Sequence, residues 1–285
     1  MNMKKLFLAF GLLAIQSISV FAQETQKPIL LPLEGAINFR DIGGYTTTTG
    51  KKVLTDKIFR SAEISTLTNK DLQELKDLHI TSVIDFRGTD EAKQAPDKLP
   101  EGAQYYLCPA GSENVANGNY GDFIEKLKNN DDSFLMDFYG EKGVQYFGDR
   151  YKLMFDKLLN NSDKEAILYH CTGGRDRTGM ATALIYYVLQ VPMETIEKDY
   201  VASNVFLKEK KKVGGDKSEQ TYAAMVKATG LSKETIEERM ALKPKYIRAF
   251  FDAINTKYGS VENFLKKEMN ITSADIEKLR LKYTK

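Results

Sequence analysis

The sequence predicts an α/β fold in which a mainly parallel central sheet is flanked by helices. Three observations lead there. Short apolar runs of strand length alternate with longer segments of helical periodicity, the pattern of parallel strands joined by crossover helices. Three of those runs, residues 82–86, 104–108 and 166–169, read as strands, and the first is of buried type. Beyond Val191 the pattern stays helical to the end, with Pro192 and Pro244 as boundaries.

Taken in order, residues 29–45 are first apolar and then turn-rich, ending at Gly43-Gly44. Residues 58–60, Ile-Phe-Arg, form a short strand. Leu72, Leu75 and Leu78 make a helical stripe across 67–78, with Thr68 or Asn69 as its cap. The strand at 104–108 is closed by Pro109 and Gly111. A long, mostly helical stretch fills 120–159, and a strongly apolar helix runs over 178–190. No repeat, low-complexity tract or Pro/Ser-rich linker interrupts this, so one domain of about 260 residues is the simplest reading. The basic run at 208–212 reads as a solvated helix end that is also able to help hold an acidic substrate.

With 285 residues, 42% of them hydrophobic and 28% charged, the chain is globular rather than disordered or collagenous. Its net charge is +2, and Lys4 and Lys5 supply that excess, so the remainder is neutral. No global field favours nucleic acid or an anionic membrane, and any anion preference must be local. Two cysteines cannot make a disulfide framework, and two histidines without a Cys/His cluster argue against structural zinc.

Residues 1–5 are a short basic start, 6–15 an apolar run, and Val20-Phe21-Ala22 carries small residues where a signal peptidase reads. This is the pattern of a secretory signal cut after Ala22. The apolar run is too short for a membrane anchor. The expected mature protein is residues 23–285, exported to the periplasm or beyond, with no transmembrane anchor.

The chemistry lies in His170-Cys171-Thr172-Gly173-Gly174-Arg175-Asp176-Arg177-Thr178-Gly179, between a buried strand and an apolar helix. Small, flexible residues let successive backbone N–H groups turn inward at a helix N-terminus, where they bind a tetrahedral oxyanion. The same donors would favour the thiolate of Cys171. Arg177 is able to grip two phosphoryl oxygens at once. The arrangement suits a cysteine nucleophile attacking phosphorus, with no metal and no organic cofactor. The bland alternative, a buried inert thiol, does not explain the neighbouring His170, Gly174 and Thr178.

These residues resemble the signature loop of the cysteine-dependent phosphatase superfamily, His-Cys-x5-Arg-Ser/Thr. More narrowly, the chain resembles the bacterial tyrosine phosphatases related to the secreted mycobacterial and listerial tyrosine and lipid phosphatases. Asn38-Phe-Arg-Asp-Ile-Gly-Gly-Tyr45, Phe59-Arg-Ser-Ala-Glu63, Val83-Ile-Asp-Phe-Arg87 with Glu91, and Asp199-Tyr-Val-Ala-Ser-Asn204 extend the resemblance over nearly all of residues 23–285. It implies a protein-tyrosine-phosphatase-like fold with a helical lid insertion over residues 120–146. An ordinary packed helical pair is the other reading of that insertion.

The resemblance further implies that Cys171 forms a phosphocysteine intermediate and that Arg177 holds the phosphoryl group. Amides from Thr172, Gly173, Gly174 and Arg175 onward line the loop. Thr178 would donate a hydrogen bond as Cys171 departs, and His170 would order the loop. The leaving oxygen needs a proton, and there is no Trp for a Trp-Pro-Asp loop. Asp176, inside the loop, is the first candidate acid, with Asp122, Asp131 and Asp132 as fallbacks; its alternative role is a loop-stabilising carboxylate paired with Arg40, Arg87 or Arg175. Asp97, in Ala95-Pro-Asp97, precedes the strand that should lead to an acid loop and ranks last. Asn38, Arg40, Asp41, Asp85 and Arg87 would frame the substrate site, although Arg40 and Asp41 equally suit bracing the sheet. Arg175 stands where the resembling group often has Lys, and its charge would favour multiply phosphorylated ligands.

The strand carrying Cys108 is expected beside the one ending at Cys171, so a Cys108–Cys171 disulfide that silences the nucleophile competes with a buried free thiol. The expected substrates are phosphotyrosine proteins, with phosphoserine/threonine proteins or phosphoinositides beside them. Inositol polyphosphates, as in cysteine phytases, a non-catalytic phosphate-binding module and a rhodanese-like sulfurtransferase are the alternatives.

Overall fold

A computed structural model describes residues 28–110, 120–208 and 215–285. The expected signal at 1–22, Gly111 and most of the basic run at 208–212 lie outside the described residues. Among the described residues the sheet has six strands, in the order β1-β2-β3-β6-β4-β5. They are β1 (Ile29–Leu30), β2 (Arg40–Asp41), β3 (Ile58–Ser61), β4 (Ile80–Asp85), β5 (Gln104–Leu107) and β6 (Ala166–His170). β3, β6, β4 and β5 pair in parallel. β1 and β2 extend the β3 edge antiparallel.

β6 is buried along its whole length. Its side chains alternate, as strand geometry requires. Ile167 and Tyr169 join the larger core, while Ala166 and Leu168 face the smaller one. β3 and β4 split the same way, with Ile58 and Ile84 on one side and Phe59 and Val83 on the other. Both faces of the central strands are therefore covered, which explains their near-continuous apolar sequence.

The smaller core is closed by α1 (Asn69–Asp77), whose start is fixed by a capping box between Thr68 and Asp71. The central helix on the other face is α7 (Asp176–Val188), counted after α2 (Thr89–Gln94), α3 (Tyr120–Lys128), α4 (Ser133–Tyr139), α5 (Glu141–Phe147) and α6 (Lys152–Asn160). α7 is buried almost all round, as its uninterrupted apolarity requires. Leu184 and Ile185 on it are essentially unexposed, each worth about 1.5–3 kcal/mol of burial. Further helices among the described residues are α8 (Met193–Lys208), α9 (Gly215–Thr229), α10 (Lys233–Arg239), α11 (Pro244–Tyr258), α12 (Val261–Met269) and α13 (Ser273–Tyr283). No helix among the described residues is long and apolar enough to cross a membrane.

One expectation about the sheet is overturned. β4 lies between β5 and β6, so the strand leading to Cys108 is not beside the one leading to Cys171. Two strand spacings separate them by roughly 10 Å, beyond the ~7 Å Cα separation that a disulfide tolerates. Both cysteines are free thiols. Burial pushes the Cys108 thiol up to about 11.

The expected lid segment divides into two parts. Tyr120 is exposed, and Phe123 packs edge-on against Phe134 at 5.1 Å between α3 and α4. Tyr139, Val144 and Phe147 are fully buried, and Tyr139 stacks on Tyr246 of α11 at 5.8 Å. The second part is thus core.

Candidate active site

Ser61 at the end of β3 and Asp85 at the end of β4 both stand in register with His170, the last residue of β6. The loop from Cys171 to Arg175 therefore opens at the carboxyl ends of the parallel strands, where open α/β sheets place their ligands. The loop is tightly fitted. Gly174 has φ +62°, and a Cβ there would stand 2.4 Å from the Ser61 carbonyl oxygen and 2.6 Å from the Ala62 nitrogen. Only glycine satisfies both constraints.

Asn38, itself at φ 58°, donates from Nδ2 to the carbonyls of Gly174 at 2.8 Å and Gly173 at 3.3 Å. Cys171 is buried at the strand end, and Thr172 is exposed beside it. His170 is wholly buried; its Nε2 meets Asp97 Oδ2 at 2.8 Å and its Nδ1 lies 3.3 Å from the Cys171 carbonyl oxygen. Burial alone would lower the imidazole's pKa, but the bond and charge of Asp97 outweigh it and hold it above the ordinary histidine value. Both ring nitrogens are thus engaged within the protein.

Arg177, in the first turn of α7, is held from several sides. Nη1 donates to Glu91 Oε2 at 2.7 Å and to the Phe86 carbonyl at 3.1 Å; Nη2 donates to Glu91 Oε1 at 3.0 Å and to Thr172 Oγ1 at 3.2 Å. Tyr151 also fixes its backbone carbonyl, at 2.9 Å. Burial pushes the Glu91 carboxyl up, but Arg177 more than reverses this and brings it to about 2. Glu91 thus holds the Arg177 guanidinium across its two terminal nitrogens.

Asp176 is half-buried and accepts a hydrogen bond from the Tyr139 hydroxyl at 2.5 Å, rather than pairing with Arg40, Arg87 or Arg175. The fallback acids are tied up elsewhere: Asp122 pairs with Lys126, Asp131 accepts from the Ser133 amide, and Asp132 accepts from Tyr246 while pairing with Lys243 and Lys245. Among the described residues the Thr178 hydroxyl is buried without a hydrogen-bond partner, a donor left over beside the loop.

Arg40, Asp41, Asp85 and Arg87, expected to frame the substrate site, are 0–2% exposed, as Cys171 is at 2%, and each is bonded to other protein groups. Arg40 pairs with Asp199 at 3.2 Å. Asp41 accepts from the amides of Gly43 and Asp56, and burial raises its carboxyl to about 6. Arg87 binds Asp85 and Asp97, each at 2.7 Å. Arg175 Nη2 donates to the Met240 carbonyl at 2.6 Å, toward the C-terminal helices.

Asp85, Asp97 and His170 bring their ligand atoms within 4.8 Å of one another, as a metal site would. Arg87 already bridges both carboxylates, so this is a buried ion-pair network. The sequence signalled Glu91 only as part of a motif, and it gave no sign that Asp97 would meet His170 or that Tyr139 would meet Asp176.

A sequence profile described as the tyrosine phosphatase family matches residues 31–285. The chain belongs to the tyrosine phosphatase family. It is an enzyme of the cysteine-dependent phosphatase class, as its signature loop implied. A Cupriavidus necator protein whose name provisionally places it among tyrosine-protein phosphatases is 26% identical over 253 residues, 86% of this chain and 85% of that one. The triple specificity protein phosphatase PtpB of Mycobacterium tuberculosis is 25% identical over 273 residues, 87% of this chain and 96% of its own. A crystal structure of TpbA from P. aeruginosa aligns with 67% of this chain and 89% of its own at 14% identity, with a TM-score of 0.26. That overlap is too low to bear on function.

Proposed function

We propose that this phosphatase hydrolyses phosphotyrosine in proteins, with phosphoserine/threonine proteins and phosphoinositides as further substrates, through a phosphocysteine intermediate. The observation that carries the reading is Arg177 prealigned by Glu91 at the end of the strand that delivers Cys171. Cys171 Sγ attacks phosphorus and the ester oxygen departs, taking a proton from Asp176. Water then attacks the phosphocysteine, Asp176 takes its proton, and inorganic phosphate leaves as the thiol is restored. Thr178 steadies the departing sulfur. Preorganised donors account for most of the stabilisation of the charge that builds on the phosphoryl oxygens. The breadth of substrates draws support from the name of the mycobacterial relative, a triple specificity phosphatase.

Export after Ala22 to the periplasm or the medium belongs to the same proposal, supported by the tripartite pattern of residues 1–22. The test is turnover of a phosphotyrosine peptide, a phosphoserine peptide, a phosphoinositide and phytate by residues 23–285, with and without EDTA, beside Cys171→Ser. EDTA-resistant release from the phosphopeptides that vanishes in the variant supports the reading. Release from phytate alone replaces it with an inositol polyphosphate phosphatase, and full turnover by Cys171→Ser refutes the mechanism.

A further inference from the structure

Beneath the loop lies a buried group that the reaction above does not use. Arg60 of β3 is 0% exposed, and Asp199 of α8 is 1% exposed. Arg60 Nη1 meets Asp199 Oδ2 at 3.1 Å, and the same carboxylate also serves Arg40 at 3.2 Å and the Tyr45 hydroxyl at 3.2 Å. Asp199 is therefore shared, and Arg60 keeps positive charge that a private ion pair would cancel. Burying a guanidinium costs several kcal/mol unless its partners compensate. The fold alone gives little reason to place a second arginine here.

The second contact of Arg60 supplies one. Its Nη2 donates to the Gly174 carbonyl at 2.7 Å. Asn38 Nδ2 reaches the same oxygen at 2.8 Å, and Arg40 Nη1 in turn donates to Asn38 Oδ1. A trans peptide is planar, with its carbonyl and the following N–H pointing opposite ways. Pinning the Gly174 carbonyl down toward β2 and β3 turns the Arg175 N–H up, into the concave side of the loop. The Asn38 bond to the Gly173 carbonyl does the same for the Gly174 N–H. Gly174 is already required by its φ of +62° and its contact with Ser61, so this peptide has one orientation available once its carbonyl is held.

We infer that Arg60, acting with Asn38 through the Gly174 carbonyl, is a positioning residue that holds the loop in its oxyanion-binding form. The inference rests on the reading of the Cys171 loop as the phosphoryl site. Arg60 never touches substrate; it acts through the peptide it holds, and its charge lies behind the anion.

The test uses tungstate, a tetrahedral dianion, as a competitive inhibitor of residues 23–285, with melting temperature measured alongside. Arg60→Met leaves the Arg40–Asp199 pair intact, and Asn38→Gly keeps the positive φ while removing the other donor. Each is expected to weaken tungstate inhibition at least tenfold without lowering the melting temperature in proportion. The double variant should lose less than the product of the two, because both act on one oxygen. If Arg60→Met does not fold, Asn38→Gly decides alone by the same criterion. Wild-type tungstate inhibition in the folded variants overturns the inference. Cys171→Ser separates the two layers: an active Cys171→Ser refutes the site itself, whereas an inactive one beside variants with unchanged tungstate inhibition refutes only the role of Arg60.

Discussion

Glu91 grips Arg177 across both terminal nitrogens, at 2.7 and 3.0 Å, while its Oε2 also accepts the Gly88 amide that starts α2. One carboxylate thus fixes a helix start on one side and the Arg177 guanidinium on the other. Removing its charge should cost kcat/KM roughly tenfold to a hundredfold, the value of a charge-assisted hydrogen bond. Glu91→Gln assayed on a phosphotyrosine peptide checks this. The Glu91 carboxyl lies near 2 in the folded protein against about 4.3 in the unfolded chain. Its contribution is present above about 4.3 and is lost as pH falls toward 2. Acid melts of Glu91→Gln should therefore be flatter than wild type over that window.

Asp97 raises the pKa of His170, so this pair works in the opposite direction. A histidine whose pKa is raised on folding adds stability that is complete below the unfolded value of about 6.5 and fades as pH climbs through the folded value. Wild-type melting temperature should drop from pH 6.5 upward for this reason. Asp97→Asn should melt lower throughout and lose that slope. An unchanged slope would mean that the pair is not an ion pair in solution.

Asp176 is tested by its leaving groups. Nitrophenolate departs readily without a proton, whereas the serine alkoxide does not. Asp176→Asn should slow release from a phosphoserine peptide by about 10² to 10⁴ and slow p-nitrophenyl phosphate far less. Equal losses on both would assign the carboxylate to loop structure, held by Tyr139.

Gly174→Ala introduces a Cβ 2.4 Å from the Ser61 carbonyl oxygen, in a backbone conformation costing a side chain about 1–2 kcal/mol. The loop must shift, and misplacement of about 1 Å costs roughly a hundredfold in turnover. Kinetics on a folded variant, checked by its melting curve, measure this.

Much of this was legible in the sequence for local reasons. The apolar run of β6, the small residues after it and the apolar helix α7 are contiguous, so strand, loop and helix declare one another. Thr68, just ahead of the Leu72, Leu75 and Leu78 stripe, declares the start of α1 in the same way. β1 and β2 escape notice because each is two residues long and gains its identity only from its neighbour. The insertion of β4 between β5 and β6 is a matter of strand order, on which hydropathy is silent. The contacts that align the site join residues far apart in the chain: Glu91 and Arg177 are 86 apart, and Asp97 and His170 are 73 apart. The sequence marked Arg40, Asp85 and Arg87 as members of motifs but not their partners: Asp85 and Arg87 pair with each other, and Arg40 pairs with Asp199.

The interposed β4 has a bearing on how the enzyme ages. A thiolate oxidised to sulfenic acid is rescued when a nearby resolving thiol captures it. Cys108 lies across a strand from Cys171, and burial keeps it protonated. Cys108→Ser should therefore lose activity to peroxide within about twofold of the wild-type rate, a comparison one inactivation time course supplies. With Cys108 out of reach, capture by a thiol depends on a dissolved one arriving before the second oxidant molecule carries the sulfur to the irreversible sulfinic state. As far as thiol rescue goes, the working life of Cys171 is a race between two solutes, set by the surroundings.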